Sequence, residues 1–250
     1  MNRLEKINSI RQSLAANQPS VGSWMQIPHA SVAEIMGQAG YDWVAVDMEH
    51  GAVSVHQLPD LFRALELGGT LPLVRLAHGH PKDCKQALDA GAGGVIVPMV
   101  ETASQLLAVR DACRWPPAGT RGVGFSRANL FGKHFEAYRE EAQAPLLVAM
   151  IEHSRAVEGL EEILAVEGLD AILIGPYDLS ASMNITGKFN HPKFKLTINK
   201  IKNLSRKHKI PCGIHVIEPK YKILKKFIKQ KYQFLPYSAD TVLLNSALKK

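Results

Sequence analysis

The chain has 250 residues, 46% of them hydrophobic, with a formal net charge of +7 and three cysteines. That length and apolar content suffice for one substantial core, so a single α/β domain over residues 1–250 is expected. No apolar run approaches the roughly 18 residues of a membrane span, and Met1-Asn2-Arg3-Leu4-Glu5-Lys6 leads into a mixed polar helix, so a soluble cytoplasmic protein is expected. Cys84, Cys113 and Cys212 are far apart and form no CxxC pair. They read as reduced core thiols and speak against a zinc ribbon or a disulfide frame.

In chain order, short β-rich apolar runs predict strands at 21–26, 43–47, 71–76, 94–99, 146–151, 171–175, 212–216 and 233–237. Between them, helical spacing predicts helices at 31–40, 55–67, 82–90, 102–113 and 156–166, several closed by glycine. Strand and helix alternate throughout, which predicts a parallel sheet. Eight such units suit a (β/α)₈ TIM barrel, while a doubly wound open sheet uses the same local grammar. One connection, 100–145, is long and carries Trp115-Pro116-Pro117-Ala118-Gly119-Thr120-Arg121-Gly122-Val123-Gly124. Proline and glycine at that density exclude a continuous helix and predict a structured loop over one end of the barrel, with Gly122 and Gly124 in a turn.

The charge is unevenly spread. Residues 184–250 hold 16 Lys+Arg against Glu218 and Asp240, a local excess of +14, which leaves −7 for the remainder. A basic tail is one signature of nucleic-acid binding. Here, however, the lysines interleave with Phe194, Ile198, Ile201 and Leu204, then with Tyr221, Leu224, Phe227 and Ile228, at helical spacing. That pattern describes amphipathic helices with lysine on their wet faces.

In a barrel of this kind the reactive groups sit at the C-terminal ends of the strands. That filter leaves Asp47, Glu49 and His50 after the second strand, Arg75 on the third, Glu152 after the fifth and Asp178 just past the sixth. Singly, each has an ordinary reading. Asp47 and Asp178 suit helix caps, Glu49 a wet loop and His50 a turn before Gly51. Arg75 interrupts the apolar run Leu71-Pro72-Leu73-Val74 and needs an anionic partner or a polar cavity. Glu152 follows an equally apolar run, where a carboxylate is costly unless it is paired or metal-bound. Two carboxylates with open positions suit Mg²⁺ or Mn²⁺, which would polarise the carbonyl of a chelating 2-oxo acid and stabilise its enolate. A histidine supplies a proton shuttle near neutrality and Arg75 a counter-charge for developing oxyanion.

The motifs Asp47-Met48-Glu49-His50-Gly51, Val74-Arg75, Leu88-Asp89-Ala90-Gly91-Ala92, Val97-Pro98-Met99-Val100, Pro116 to Gly122, Met150-Ile151-Glu152 and Gly175-Pro176-Tyr177-Asp178-Leu179-Ser180 resemble those of the class II pyruvate aldolases. These include 4-hydroxy-2-oxoheptanedioate aldolase and the 2-keto-3-deoxy sugar-acid aldolases. The resemblance spans nearly the whole chain, down to Ala239-Asp240-Thr241. It implies metal-dependent, reversible aldol cleavage of a 4-hydroxy-2-oxo acid to pyruvate and an aldehyde. It further implies a TIM barrel with an N-terminal helix, assembled as a homohexamer with C-terminal helices exchanged between subunits. By position, Glu152 and Asp178 would bind the metal, His50 would be the general base and Arg75 would stabilise the transition state. Asp89, which by itself reads as a cap or surface residue, would raise the basicity of the histidine. The backbone amides of Tyr177 and Asp178 would help to hold the substrate.

The chain also departs from the pattern. Met150, which by the resemblance would line the substrate site, stands where other members carry Gln, His153 replaces Thr, and Ala77-His78-Gly79-His80 replaces a Trp-Asn-Asp type of turn. Such changes bear on substrate identity and leave the chemistry intact. If the basic C-terminal helices are exchanged, acidic surface on a neighbour's N-terminal region would receive them. Two other readings compete. A CoA-ester lyase of the citrate lyase β type needs a CoA pocket, for which no dedicated basic loop precedes the final quarter. A nucleic-acid or scaffold protein would use the basic final quarter itself.

Overall fold

The computed structural model describes residues 1–248. Eight parallel strands follow one another around a barrel: β1 (Ser20–Met25), β2 (Trp43–Asp47), β3 (Leu71–Arg75), β4 (Gly94–Val97), β5 (Leu146–Ile151), β6 (Ala171–Ile174), β7 (Cys212–Ile214) and β8 (Phe234–Ala239). Their order in the sheet is β7-β6-β5-β4-β3-β2-β1-β8. The ring closes between β7 and β8 through a parallel bridge of Val216 with Tyr237 and the bonds Gln233 N–H to Cys212 O (2.9 Å) and Val216 N–H to Pro236 O (2.9 Å). The architecture is the expected (β/α)₈ TIM barrel, not the open sheet.

The helices are α1 (Arg3–Ala15), α2 (Ala30–Gly37), α3 (Leu58–Leu67), α4 (Pro81–Asp89), α5 (Ala103–Cys113), α6 (Phe135–Gln143), α7 (Ser154–Glu158), α8 (Leu160–Leu164), α9 (Pro176–Ser182), α10 (Pro192–His208), α11 (Tyr221–Lys229) and α12 (Asp240–Ala247). Local chemistry sets their starts. Proline opens α4, α9 and α10, where a missing N–H costs nothing, and Thr102 caps α5 by accepting from the Gln105 N–H. The single helix expected over 156–166 is two short ones, because the chain breaks at Gly159. The long connection after β4 holds α5 as expected. Its Pro/Gly stretch then runs to α6 along the N-terminal end of the barrel, where Arg121 faces Asp89 and Arg127 donates to Ala90 O (3.0 Å).

Two apolar layers meet at the strands. Outward residues such as Val44, Val46, Val74, Val95 and Ile172 pack under the helices. Inward residues fill the barrel: Trp24, Trp43, Ala45, Leu71, Leu73, Ile96, Leu146, Val148, Met150, Leu173 and Phe234, with Ile7, Ile10 and Leu14 of α1 plugging the N-terminal end. This alternation is the period of two that a strand imposes. Cys84, Cys113 and Cys212 are free and buried, as expected of core thiols. Of the apolar stripe expected in the basic quarter, Phe194, Ile201 and Leu224 are buried, whereas Tyr221 is exposed. No described helix is long and apolar enough to cross a membrane.

At the base of the interior, Trp43 stacks on Phe234 at 4.3 Å, and a Cβ on Gly22 would overlap the Trp43 indole. Gly22→Ala should therefore force the ring off its stack and cost about 1–3 kcal/mol by urea unfolding. An unchanged midpoint would show that the interior has room to spare.

Candidate active site

The C-terminal rim of the barrel carries the polar groups. Asp47 and Arg75 are direct partners in the β2–β3 register, both inward-facing, so the side chains meet across adjacent strands. The contact is bidentate: Arg75 Nε donates to Asp47 Oδ1 (2.8 Å) and Nη2 to Oδ2 (2.6 Å). Arg75 Nη1 lies 3.1 Å from Glu49 Oε2, and the guanidinium stacks on Trp24, 4.5 Å from the ring. Asp47 has 0% exposure and accepts further bonds from Gln26 Nε2 (2.9 Å) and the backbone N–H groups of Glu49 (3.1 Å) and His50 (3.2 Å). One carboxylate thus holds the arginine and shapes the turn that presents Glu49 and His50. Burial alone would raise its pKa, but the Arg75 bonds outweigh burial and hold Asp47 below the usual carboxylate range.

Across the rim, Glu152 follows β5 and is buried. Its Oε1 accepts the Met99 N–H at 2.7 Å, and Met99 adopts a left-handed φ of 48° to offer it. Gly175 lies beside it, where any Cβ would overlap Oε2. Burial pushes Glu152 up to about 7, against the Met99 bond, and the nearby charges of Glu49 and Asp178 push in the same direction as burial. Glu49 is likewise raised by burial, which outweighs Arg75. Asp178 lies in the first turn of α9, exposed, beside Tyr177. In that turn the N–H groups of Tyr177 and Asp178 have no intrahelical acceptor. Among the described residues no set of three or more His, Cys, Asp or Glu converges as a metal site. A cation here would take Glu152 and Asp178 alone, an all-oxygen pair. Burial, with the neighbouring carboxylates adding to it, disfavours the ionised form of Glu152, and a hard divalent ion would offset that cost.

His50 is close to Glu49 (3.8 Å) with its side chain 58% exposed to the mouth. Met150 is buried one layer below Glu152. Asp89 is elsewhere: it ends α4, which runs back from the mouth, and faces Arg121 at 3.4 Å. Within one chain the barrel thus separates Asp89 from His50. His153 turns away too, capping α7 through a bond from the Arg155 N–H and facing Glu101.

Three rim residues escaped the sequence reading. Gln26 lies just past β1 and joins Asp47 to Thr241, whose hydroxyl donates to Gln26 Oε1 (2.8 Å); its own N–H is held by Asp240 (2.9 Å). It closed a predicted strand, so the strand-end filter had the means to find it. Trp24 and His215 face inward and meet edge-on at 6.0 Å, and Trp24 Nε1 and His215 Nε2 are buried without a partner among the described residues. Burial, then the Arg75 charge, lowers His215 to about 4, so it is a neutral imidazole.

A residue-family comparison matches positions 20–247 to HpcH/HpaI aldolase/citrate lyase. The chain is 40% identical over 203 residues to a hydroxypyruvate/pyruvate aldolase of Roseobacter denitrificans, covering 80% of this chain and 79% of that one. It is 35% identical to a 4-hydroxy-2-oxovalerate aldolase of Novosphingobium aromaticivorans, covering 94% and 89%. A crystal structure of a family member from Burkholderia cenocepacia superposes with a TM-score of 0.89 at 30% identity, covering 96% of each chain. A TIM barrel with this rim is a carbon–carbon lyase scaffold. The chain belongs to the HpcH/HpaI aldolase/citrate lyase family.

Glu152 makes stability depend on pH. Its folded value of about 7 exceeds its ordinary 4.5, so between the two the folded chain keeps a proton that the unfolded chain has lost. Stability therefore falls as pH rises through that window, by about 3 kcal/mol once both states are ionised. In metal-free protein, Glu152→Gln should leave the melting temperature near the parent's at about pH 4.5 and raise it at about pH 8. A gap that does not change with pH would contradict the buried, uncompensated carboxylate.

Proposed function

We propose that the chain catalyses reversible aldol cleavage of a 4-hydroxy-2-oxo acid to pyruvate and an aldehyde, with Mg²⁺ or Mn²⁺ held by Glu152 and Asp178. The observation that carries this reading is the immobilised Arg75 guanidinium on the same rim as the buried Glu152. When bound, the cation would supply Lewis-acid polarisation of the 2-oxo acid's carbonyl. The chain's own residues do the rest. Asp47 and Glu49 fix Arg75, whose remaining N–H groups are free to meet the oxygen that gains charge as the carbon–carbon bond breaks. The first-turn amides of Tyr177 and Asp178 suit the substrate carboxylate, as backbone donors at a helix start do. His50, at the open side of the mouth, takes the hydroxyl proton and returns one to the methylene carbon. Met150 and Trp24 form an apolar floor that keeps bulk water from the enolate.

A role for Asp89 in raising the basicity of His50 requires a second copy of the chain to bring it there, in keeping with a homo-oligomer such as a hexamer. Exposed Leu244 and Leu248 near the C-terminus are apolar surface that exchanged helices would cover. An enzyme fully active as a monomer would exclude both ideas. A CoA-ester lyase reading draws on likenesses to citrate lyase structures at 14–15% identity, which bear on the fold alone.

In D₂O with Mg²⁺ or Mn²⁺, the protein should exchange the methyl protons of pyruvate, and EDTA should stop it. His50→Ala should abolish exchange, and Glu152→Gln should lose metal affinity. Absence of metal-dependent exchange, or full exchange by both variants, would defeat the proposal.

A further inference from the structure

At the end of the barrel opposite the mouth, the last turn of α10, the residues after α11 and the end of α1 enclose a cleft of about 570 Å³. Four cationic side chains line it, Lys202, Arg206, Lys209 and Lys231, and among the described residues no carboxylate does. The lack of counter-charge extends beyond the cleft. Among the described lysines and arginines from 184 onward, only Lys207 and Lys220 have a carboxylate within 4.0 Å. The cleft's cationic residues therefore line one concave volume with no carboxylate among the described residues to balance them.

Lys202, shared by the cleft and the adjoining groove, has its charge held on the groove side, where Nζ donates to Gln230 O (3.0 Å) and sits 4.6 Å over the Tyr232 ring. Lys209 and Lys231 adopt left-handed φ of 58° and 66° where α10 and α11 end. Glycine would take that conformation at less cost, yet both positions carry a charge. Cations near helix ends are expected to offset the helix dipole, but that effect asks for a charge in the last turn and not for four around one space. Ser205 lies in the floor with its hydroxyl bonded to Ile210 O, and Gln233 Nε2 donates to Leu14 O (2.8 Å). An apolar groove between α10 and α11, also about 570 Å³, adjoins the cleft and shares Lys202 with it.

We propose that this cleft binds an oligophosphate anion, either free or as the phosphate chain of a nucleotide whose uncharged part lies in the adjoining groove. Clustered ammonium and guanidinium groups in a concavity match the charge density of linked phosphates better than that of a single carboxylate. A small ligand is favoured over nucleic acid because the four cationic residues line a single concavity rather than an extended track. The cationic cleft lies at the end of the barrel opposite the rim, and the adjoining groove runs from it toward Pro176 and His215.

Calorimetric titration of the full chain in metal-free buffer tests the proposal, with inorganic tripolyphosphate, ATP and a single-stranded DNA oligonucleotide as probes. Tripolyphosphate should bind one per chain and weaken as salt rises between about 50 and 200 mM. Lys209→Gln with Lys231→Gln should weaken it at least about tenfold, whereas Lys222→Gln with Lys225→Gln, which removes equal charge from α11 outside the cleft, should change it less than about twofold. Tighter binding of ATP than of tripolyphosphate, or equal binding of the two, would each support the site, the first naming a nucleotide and the second a bare oligophosphate. No saturable binding, equal loss in the two double variants, or preference for the DNA would overturn it.

Discussion

The rim depends on one ion pair. Asp47 and Arg75 are both buried, and a buried pair survives only if nearly every donor and acceptor is used. Asp47 accepts from Arg75 twice, from Gln26 and from two backbone amides, so it satisfies the arginine while setting the turn that carries Glu49 and His50. Asp240 and Thr241 hold Gln26 in turn, which ties the pair to the start of α12 and closes the first strand against the last.

The same pair sets the electrostatics opposite. Arg75 directs its charge at Asp47 and Glu49, and too little remains to offset the burial of Glu152, whose pKa rises to about 7. The site is thus polarised. One side is neutralised and rigid, and the other holds a buried carboxyl that lacks a cationic partner among the described residues. His215, beside the arginine, stays neutral for the complementary reason, since burial and a neighbouring positive charge both disfavour protonation. At the opposite end of the barrel α1 is the plug, with Arg3 bridging Glu141 (2.7 Å) and Glu66 (3.4 Å).

All eight strands were legible in the sequence because β-rich apolar runs separated by helical spacing have few other folded solutions. Strands β2 and β5 match to the residue, and the others shift by one or two. The strand-end filter found Asp47, Arg75 and Glu152, but periodicity carries no information on which inward side chains meet. The Asp47–Arg75 contact needed the register, and the neutral His215 needed its three-dimensional neighbours. Asp89 shows the opposite failing. Its motif is plain in the sequence, yet α4 takes it to the far end of its own barrel. The break at Gly159 and the exposure of Tyr221 were missed because both depend on how the helices seat against neighbours, which spacing leaves open.

A double-mutant cycle on Asp47→Asn and Arg75→Lys, read as the rate of metal-dependent proton exchange from pyruvate, tests the central role of the pair most directly. If Asp47 acts through Arg75, each single variant should slow exchange severely and the double variant should be no slower than the worse single, a coupling of about 2 kcal/mol or more. Losses that simply multiply would show that the two residues act independently and that the pair is not what the site is built on.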